Sequence, residues 1–142
     1  MKTRIIAASL SAFVLLGACG SGTATVDAPA QKQSIELINP ADADQLLEDN
    51  SGSGDFVILD IRTPEEFNAG RIAGSINIDF YEADFASELD KLDKDKTYFV
   101  YCNSGNRSGT AMGTMRDLGF VDVYDLDGGI QAWYNSGFDI TQ

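Results

Sequence analysis

Apolar and polar positions change period several times along the chain, and each change predicts an element. Phe56-Val57-Ile58-Leu59-Asp60-Ile61 is an almost unbroken apolar run, the pattern of a strand buried on both faces. Tyr98-Phe99-Val100-Tyr101 is a second such run, Val121 to Leu126 a third, and Ser75 to Ile78 a short fourth. Between them the spacing becomes helical. Phe85, Leu89 and Leu92 share one helical face, and Ala111, Met115 and Leu118 share another, which Gly119 stops as a C-cap. Asn39-Pro40 opens a helix over residues 41–48, closed by Asn50 to Gly54. Thr63-Pro64-Glu65-Glu66 supplies a further helix with a cap, a proline and two first-turn acids. Gly129 to Asn135 forms a last short helix with Trp133 as its core anchor. Strands alternate with helices, which predicts an α/β fold: a parallel sheet covered on both faces.

The amino-terminal end obeys a different pattern. Met1-Lys2-Thr3-Arg4 is basic, Ile5 to Leu16 is apolar, and Leu16-Gly17-Ala18 stands directly before Cys19. This is the layout of an export signal, and its apolar part falls short of the ~20 residues a spanning helix needs. A cysteine after Leu-Gly-Ala resembles the bacterial lipobox, which implies cleavage after residue 18 and acylation of Cys19. An ordinary export signal cleaved near Ala18 would instead leave Cys19 as a free thiol. Residues 19–34 are rich in Gly, Ser, Thr and Ala without apolar periodicity and read as a flexible tether. Residues 35–142 carry a continuous apolar pattern with no second linker, enough for one domain with its own core. The expected protein is a monomer held in the bacterial cell envelope by a lipid anchor.

Charge narrows the partners. With 22 acidic and 10 basic side chains the formal net charge is −12, and cleavage after residue 18 would deepen it by removing Lys2 and Arg4. Such a balance disfavours nucleic acid and anionic lipid as partners of the domain, so membrane attachment falls to the anchor. The chain has no histidine, which excludes a Ser-His-Asp or Cys-His couple and a histidine metal site. Asp125-Leu126-Asp127-Gly128 has the outline of a calcium loop but lacks its remaining ligands and terminal glutamate. It reads as a turn that caps the last helix, and no metal or cofactor is expected.

Candidate chemistry concentrates at Cys102. The residue closes the run Tyr98 to Tyr101 and opens Asn103-Ser104-Gly105-Asn106-Arg107-Ser108, after which the helical pattern begins. A thiol is thereby placed at the carboxyl end of a strand, where open α/β sheets bind ligands. Backbone N–H groups of such a turn can converge on an anion, and the next helix adds the positive end of its dipole. A free cysteine with a pKa of about 8.5 is mostly thiol at neutral pH, and these surroundings lower that value. Gly105 permits the left-handed backbone of a cradle, and Arg107 can turn its guanidinium back over the loop. The recurrence of Gly105, Gly109 and Gly113 predicts close backbone approach and loop geometry. A small buried hydrophobe is the bland alternative for Cys102, against which the spacing of Gly105 and Arg107 argues.

Three stretches together resemble a single-domain rhodanese. The first is Leu59-Asp60-Ile61-Arg62-Thr63-Pro64-Glu65-Glu66-Phe67 with Gly70-Arg71-Ile72-Ala73-Gly74-Ser75-Ile76-Asn77-Ile78; the second is Tyr101 to Ser108; the third is Asp127-Gly128-Gly129-Ile130-Gln131-Ala132-Trp133. The resemblance implies a five-stranded, mostly parallel sheet with helices on both faces, and Cys102 as a sulfur-accepting nucleophile at the base of a six-residue loop. It implies transfer of a sulfane sulfur, from a small sulfur-containing anion such as thiosulfate or from a persulfide donor, to a thiol acceptor through a Cys102 persulfide. N–H groups of Asn103, Ser104, Gly105, Asn106, Arg107 and Ser108 would cradle the persulfide and the leaving anion, with Arg107 bracing the loop or meeting a sulfonate. Asp60, Arg62 and Glu66 match positions expected to fix the loop by ion pairing; a helix-capping and surface-charge set is the other reading. The chain departs from the family pattern at Arg71 and Ala73, where His and Pro are frequent. Its loop holds a single basic residue, which makes thiosulfate a poorer donor than a persulfide. A non-catalytic module that binds a partner or senses redox state is the alternative from another class. Phosphatase or arsenate reductase chemistry uses a seven-residue loop and is disfavoured by the spacing of Cys102 and Arg107.

Overall fold

Ten elements alternate along residues 32–142, the part that the computed structural model describes. The expected export signal, Cys19 and nearly all of the expected tether lie outside the described residues. The order is β1 (Ser34–Ile38), α1 (Pro40–Asp49), β2 (Phe56–Asp60), α2 (Pro64–Ala69), β3 (Ile76–Asn77), α3 (Phe85–Asp90), β4 (Thr97–Tyr101), α4 (Asn106–Asp117), β5 (Asp122–Leu126) and α5 (Gly129–Asn135). The strands form one sheet in the order β1-β5-β4-β2-β3, and every neighbouring pair is parallel. The fold is α/β, with helices on both faces.

Strand alternation divides the core in two. Leu59, Ile61, Tyr98, Val100 and Val123 point to one face, where Phe85 and Leu89 of α3 and Ala111, Met112 and Met115 of α4 cover them. Phe99, Tyr101 and Leu126 point to the other and pack with Ala43 of α1 and Ile130 and Trp133 of α5. Burial on both faces is what an apolar run without alternation requires. The strand β1 was not singled out by the pattern of Ser34 to Ile38. Among the described residues it lies at a sheet edge with β5 as its only partner, and Leu37 is 63% exposed, so its apolar signal is weak. Ordered contacts reach Gln33, whose side-chain amide donates to the carbonyls of Arg116 and Phe120.

Helix ends follow their local chemistry. The Asn39 side chain accepts from the N–H groups of Ala41 and Asp42, each at 3.0 Å, satisfying donors that the first turn leaves free. Thr63 and Glu66 form a reciprocal capping box at the start of α2. Gly119 follows α4 with φ +89, and the Phe120 N–H returns to the Met115 carbonyl at 3.1 Å, a left-handed stop that glycine makes without steric cost. The side chain of Trp133 is buried against Phe138 and donates its indole N–H to the Asp139 carbonyl at 2.9 Å.

Candidate active site

Cys102 follows the last residue of β4 and is 1% exposed. Two N–H groups at the start of α5 hold the loop behind it: Ile130 donates to the Cys102 carbonyl at 2.9 Å and Gln131 to the Asn103 carbonyl at 3.1 Å. A peptide unit whose carbonyl is held on one side turns its N–H toward the other. The loop accordingly presents donors to the sulfur, with the Gly105 N–H 3.1 Å and the Ser108 hydroxyl 3.5 Å from Sγ. Burial by itself pushes the thiol up. Donation from the Ser108 hydroxyl and from the N–H groups of Ser108, Ser104 and Gly105 outweighs it, and the net shift is downward. The amino end of α4 adds its dipole in the same sense.

Glycines make this seat possible. A Cβ on Gly129, at φ +61, would fall 2.5 Å from the Cys102 carbonyl oxygen and 2.7 Å from that of Asn103. Gly105 has φ +88, and a Cβ there would approach the Gly128 nitrogen to 3.3 Å. The four-residue glycine recurrence is only partly explained by close approach. A Cβ on Gly109 would make ordinary contact, and one on Gly113 would meet nothing within 4 Å. Nor does an acidic turn cap α5: Gly128 occupies the N-cap and no side-chain oxygen bonds the first turn, because the loop carbonyls take those donors.

The structure brings Glu66 to the loop. Both its oxygens bind Arg107, at 2.8 and 2.7 Å, while Oε2 also accepts from the Thr63 N–H at 3.1 Å. The Arg107 side chain holds the Glu66 carboxyl down to about 2, against the upward push of burial. The guanidinium is also 5.3 Å from the Tyr81 ring centroid, within cation–π range. Asp60 and Arg62 pair with each other, and neither side chain makes a hydrogen bond or ion pair to the loop. Arg62 Nη2 lies 2.6 Å from Asp60 Oδ2 and 2.7 Å from the Gly70 carbonyl oxygen. Asn77 ties this pair into the sheet by donating to the carbonyls of Asp60 and Arg62. Arg71 stacks on Phe67 and bridges Thr141 through two backbone hydrogen bonds of 2.8 Å.

Four contributors escaped the sequence reading in these roles: Tyr81 over Arg107, Tyr101, Gly129 and Asp125. The Tyr101 hydroxyl accepts from the Ile72 N–H at 3.1 Å and lies 3.0 Å from Ser75 Oγ. Asp125 is 3% exposed, and its Oδ1 is the sole buried side-chain polar atom among the described residues without a partner. Its signal was an acid inside the apolar run Val121 to Leu126. Among the described residues no three acidic or cysteine side chains converge as metal ligands.

The geometry has a clear counterpart among known proteins. The chain belongs to the rhodanese-like domain family, which matches residues 42–136. A protein named thiosulfate sulfurtransferase GlpE from Pseudomonas aeruginosa is 38% identical over 101 residues, 70% of this chain and 84% of that protein. One named sulfurtransferase from Allochromatium vinosum is 30% identical over 104 residues, 73% of this chain and 95% of its own length. The crystal structure of a rhodanese-related protein from Thermoplasma volcanium superimposes with a TM-score of 0.62 at 36% identity, covering 75% of this chain and 97% of that one.

Two predictions rest on this geometry. Gly129→Ala forces a Cβ into the loop carbonyls from a left-handed residue, a conformation that costs about 1–3 kcal/mol before any clash. Cys102 in that variant should be alkylated by iodoacetamide roughly tenfold more slowly at neutral pH, and an unchanged rate would show that the seat does not shape the loop. Glu66, held down to about 2 from an ordinary 4.5, contributes stability that is complete above 4.5 and fades as pH falls toward 2. Urea midpoints of wild type and Glu66→Gln should therefore differ at neutral pH and converge in acid; a constant gap would exclude the ion pair as its source.

Proposed function

We propose that the protein is a sulfurtransferase in which Cys102 carries a sulfane sulfur between a donor and a thiol acceptor. The observation that supports it most is the sulfur itself: a thiol at a strand end, ringed by N–H donors and the Ser108 hydroxyl. Membership of the rhodanese-like family and relatives named as sulfurtransferases point the same way. In the first step the Cys102 thiolate attacks the outer sulfur of the donor. A new S–S bond forms, the old S–S bond breaks, and its electron pair leaves with sulfite or with a thiolate. In the second step an acceptor thiolate attacks the outer sulfur of the Cys102 persulfide, and the pair of the broken bond returns to Cys102. Neither step needs an outside oxidant, and the same N–H groups stabilise the anion at the start and at the end.

The ion pairing around the loop favours one donor class. Arg107 is the single basic side chain of the loop, and both its Nη atoms bind Glu66. A sulfonate arriving there would meet dipoles and a neutralised guanidinium, so an organic persulfide, whose reacting end carries at most a single negative charge, is the better donor. Beside Glu66 a groove of about 250 Å³, lined by Ile130, Gln131, Tyr134 and Ile140 among others, offers apolar surface for its organic part. A pure binding module would have no use for a stabilised thiolate, which supports the enzyme over that half of the alternative; a redox sensor would use one, and release of the added sulfur to an acceptor thiol separates the enzyme from the sensor.

Intact mass after mixing with glutathione persulfide should show one added sulfur atom on wild type and none on Cys102→Ser. Thiosulfate should load the protein more slowly, and equal loading by both donors would remove the argument from Arg107. For the cell envelope the proposal is acylation at Cys19, supported by Leu16-Gly17-Ala18 and the basic and apolar segments before it. Two acyl chains give stable anchoring where one gives marginal binding. Labelling with a fatty-acid analogue, followed by fractionation, should find the protein in membranes and Cys19→Ser unlabelled and released; an unlabelled, soluble wild type would refute the anchor.

A further inference from the structure

The core behind the loop holds a carboxyl group that the proposed sulfur transfer does not use. Asp125 sits on β5 opposite Val100 of β4 and Leu37 of β1. On the remaining side α4 covers it near Ser108 and Gly109, and Asp125 Oδ2 is 3.8 Å from where a Gly109 Cβ would stand. None of the ion pairs among the described residues includes Asp125. From these elements the polar groups that face it are the Ser108 hydroxyl and, along its own chain, the Asp127 carboxylate. Ser108 is fully buried, and the same hydroxyl lies 3.5 Å from Cys102 Sγ and 3.3 Å from the Gly105 carbonyl oxygen, two acceptors within the loop.

We propose that Asp125 is a positioning residue that sets the nucleophilicity of Cys102 through Ser108. A serine hydroxyl has one proton to give and can accept from others. With Asp125 protonated, the carboxyl can donate to Ser108 Oγ, which leaves the hydroxyl proton to the two loop acceptors, and a Cys102 thiolate, being charged, takes it in preference to the Gly105 carbonyl. With Asp125 ionised, the carboxylate draws the hydroxyl proton to itself. The sulfur then loses a donor and gains a negative neighbour. Both changes disfavour the thiolate, and by the same coupling a thiolate or persulfide anion favours the protonated carboxyl. Burial pushes the Asp125 carboxyl up to about 6, against the Ser108 hydrogen bond that lowers it and with Asp127 adding to the rise. The changeover therefore falls at weakly acid pH. No net proton is consumed over a catalytic cycle; the carboxyl decides how much thiolate is present at its start.

The proposal rests on Cys102 as the sulfur carrier, but its test reads the thiol alone. Iodoacetamide alkylation, followed across pH by peptide mass at Cys102, should show in wild type a second inflection near pH 6 below the main thiol titration. Asp125→Asn keeps an uncharged donor toward Ser108, so it should lack that inflection and react roughly threefold faster at neutral pH. That factor is the net of a larger thiolate fraction and a lower intrinsic nucleophilicity. The acceleration should vanish in a Ser108→Ala background. A wild-type profile with one inflection would overturn the proposal without any variant. So would superimposable wild-type and Asp125→Asn curves, or an acceleration undiminished by Ser108→Ala, which would assign the effect to charge acting directly. Loss of sulfur loading with these results intact would count against the transfer reaction and leave the relay standing.

Discussion

The arrangement depends on how closely the backbone at Gly129 approaches the carbonyls of Cys102 and Asn103. A protein that stabilises a sulfur anion with peptide dipoles must point several N–H groups inward, which sends the matching carbonyls outward into the fold. Those carbonyls need donors, because a buried, unpaired carbonyl costs as much as a lost hydrogen bond. Here Ile130 and Gln131 supply them. The supply requires β5 to run beside β4, so that the turn leaving β5 arrives at the loop leaving β4. It also requires a residue without a side chain at the point of contact. Sheet order, the double glycine and the polarity of the cradle are thus one constraint met at three levels.

Charge is organised around the same point. The chain carries a net −12, yet it shifts the Cys102 thiol toward the thiolate. It achieves this with dipoles, while the nearby cations are spent on carboxylates: Arg107 on Glu66 and Arg62 on Asp60. Pairing of the buried Asp60 and Arg62 is obligatory, since either alone would be an uncompensated charge in the core. Arg62 also fastens Gly70, and Tyr101 fastens Ile72, so the segment between α2 and β3 is held to the carboxyl end of β2 and β4. Glu66 closes its own helix cap and the loop together, which makes the start of α2 a structural part of the cradle.

Much of this was legible in the sequence. The runs at Phe56 and Tyr98 announced buried parallel strands, and Asn39-Pro40 and Thr63-Pro64 announced helix starts, because periodicity and capping are local. The position of Cys102 before a glycine-bearing turn pointed to the cradle for the same reason. What escaped depends on distant approach. Glu66 was tied to the loop only as the resemblance implied: it and Arg107 are 41 positions apart, and nothing in either neighbourhood names the pair or separates it from Asp60 and Arg62, which pair with each other. The need for glycine at 129 is written in the carbonyls of another loop. β1 escaped because an edge strand half in water carries little apolar signal, and Asp125 because an acid in a strand reads as a surface residue until the opposing helix is placed.

The sheet is unidirectional, and this gives the domain a front and a back. Every strand points toward the loop, so β1, the first of them, enters beside the start of β5 with Ser34 opposite Asp122, one strand length of roughly 17 Å behind the sulfur's end of the sheet. Ser34 thus lies at the back of the domain and Cys102 at the front. A molecule that approaches the sulfur meets the segments leaving the carboxyl ends of the strands and none of the turns that lead into them.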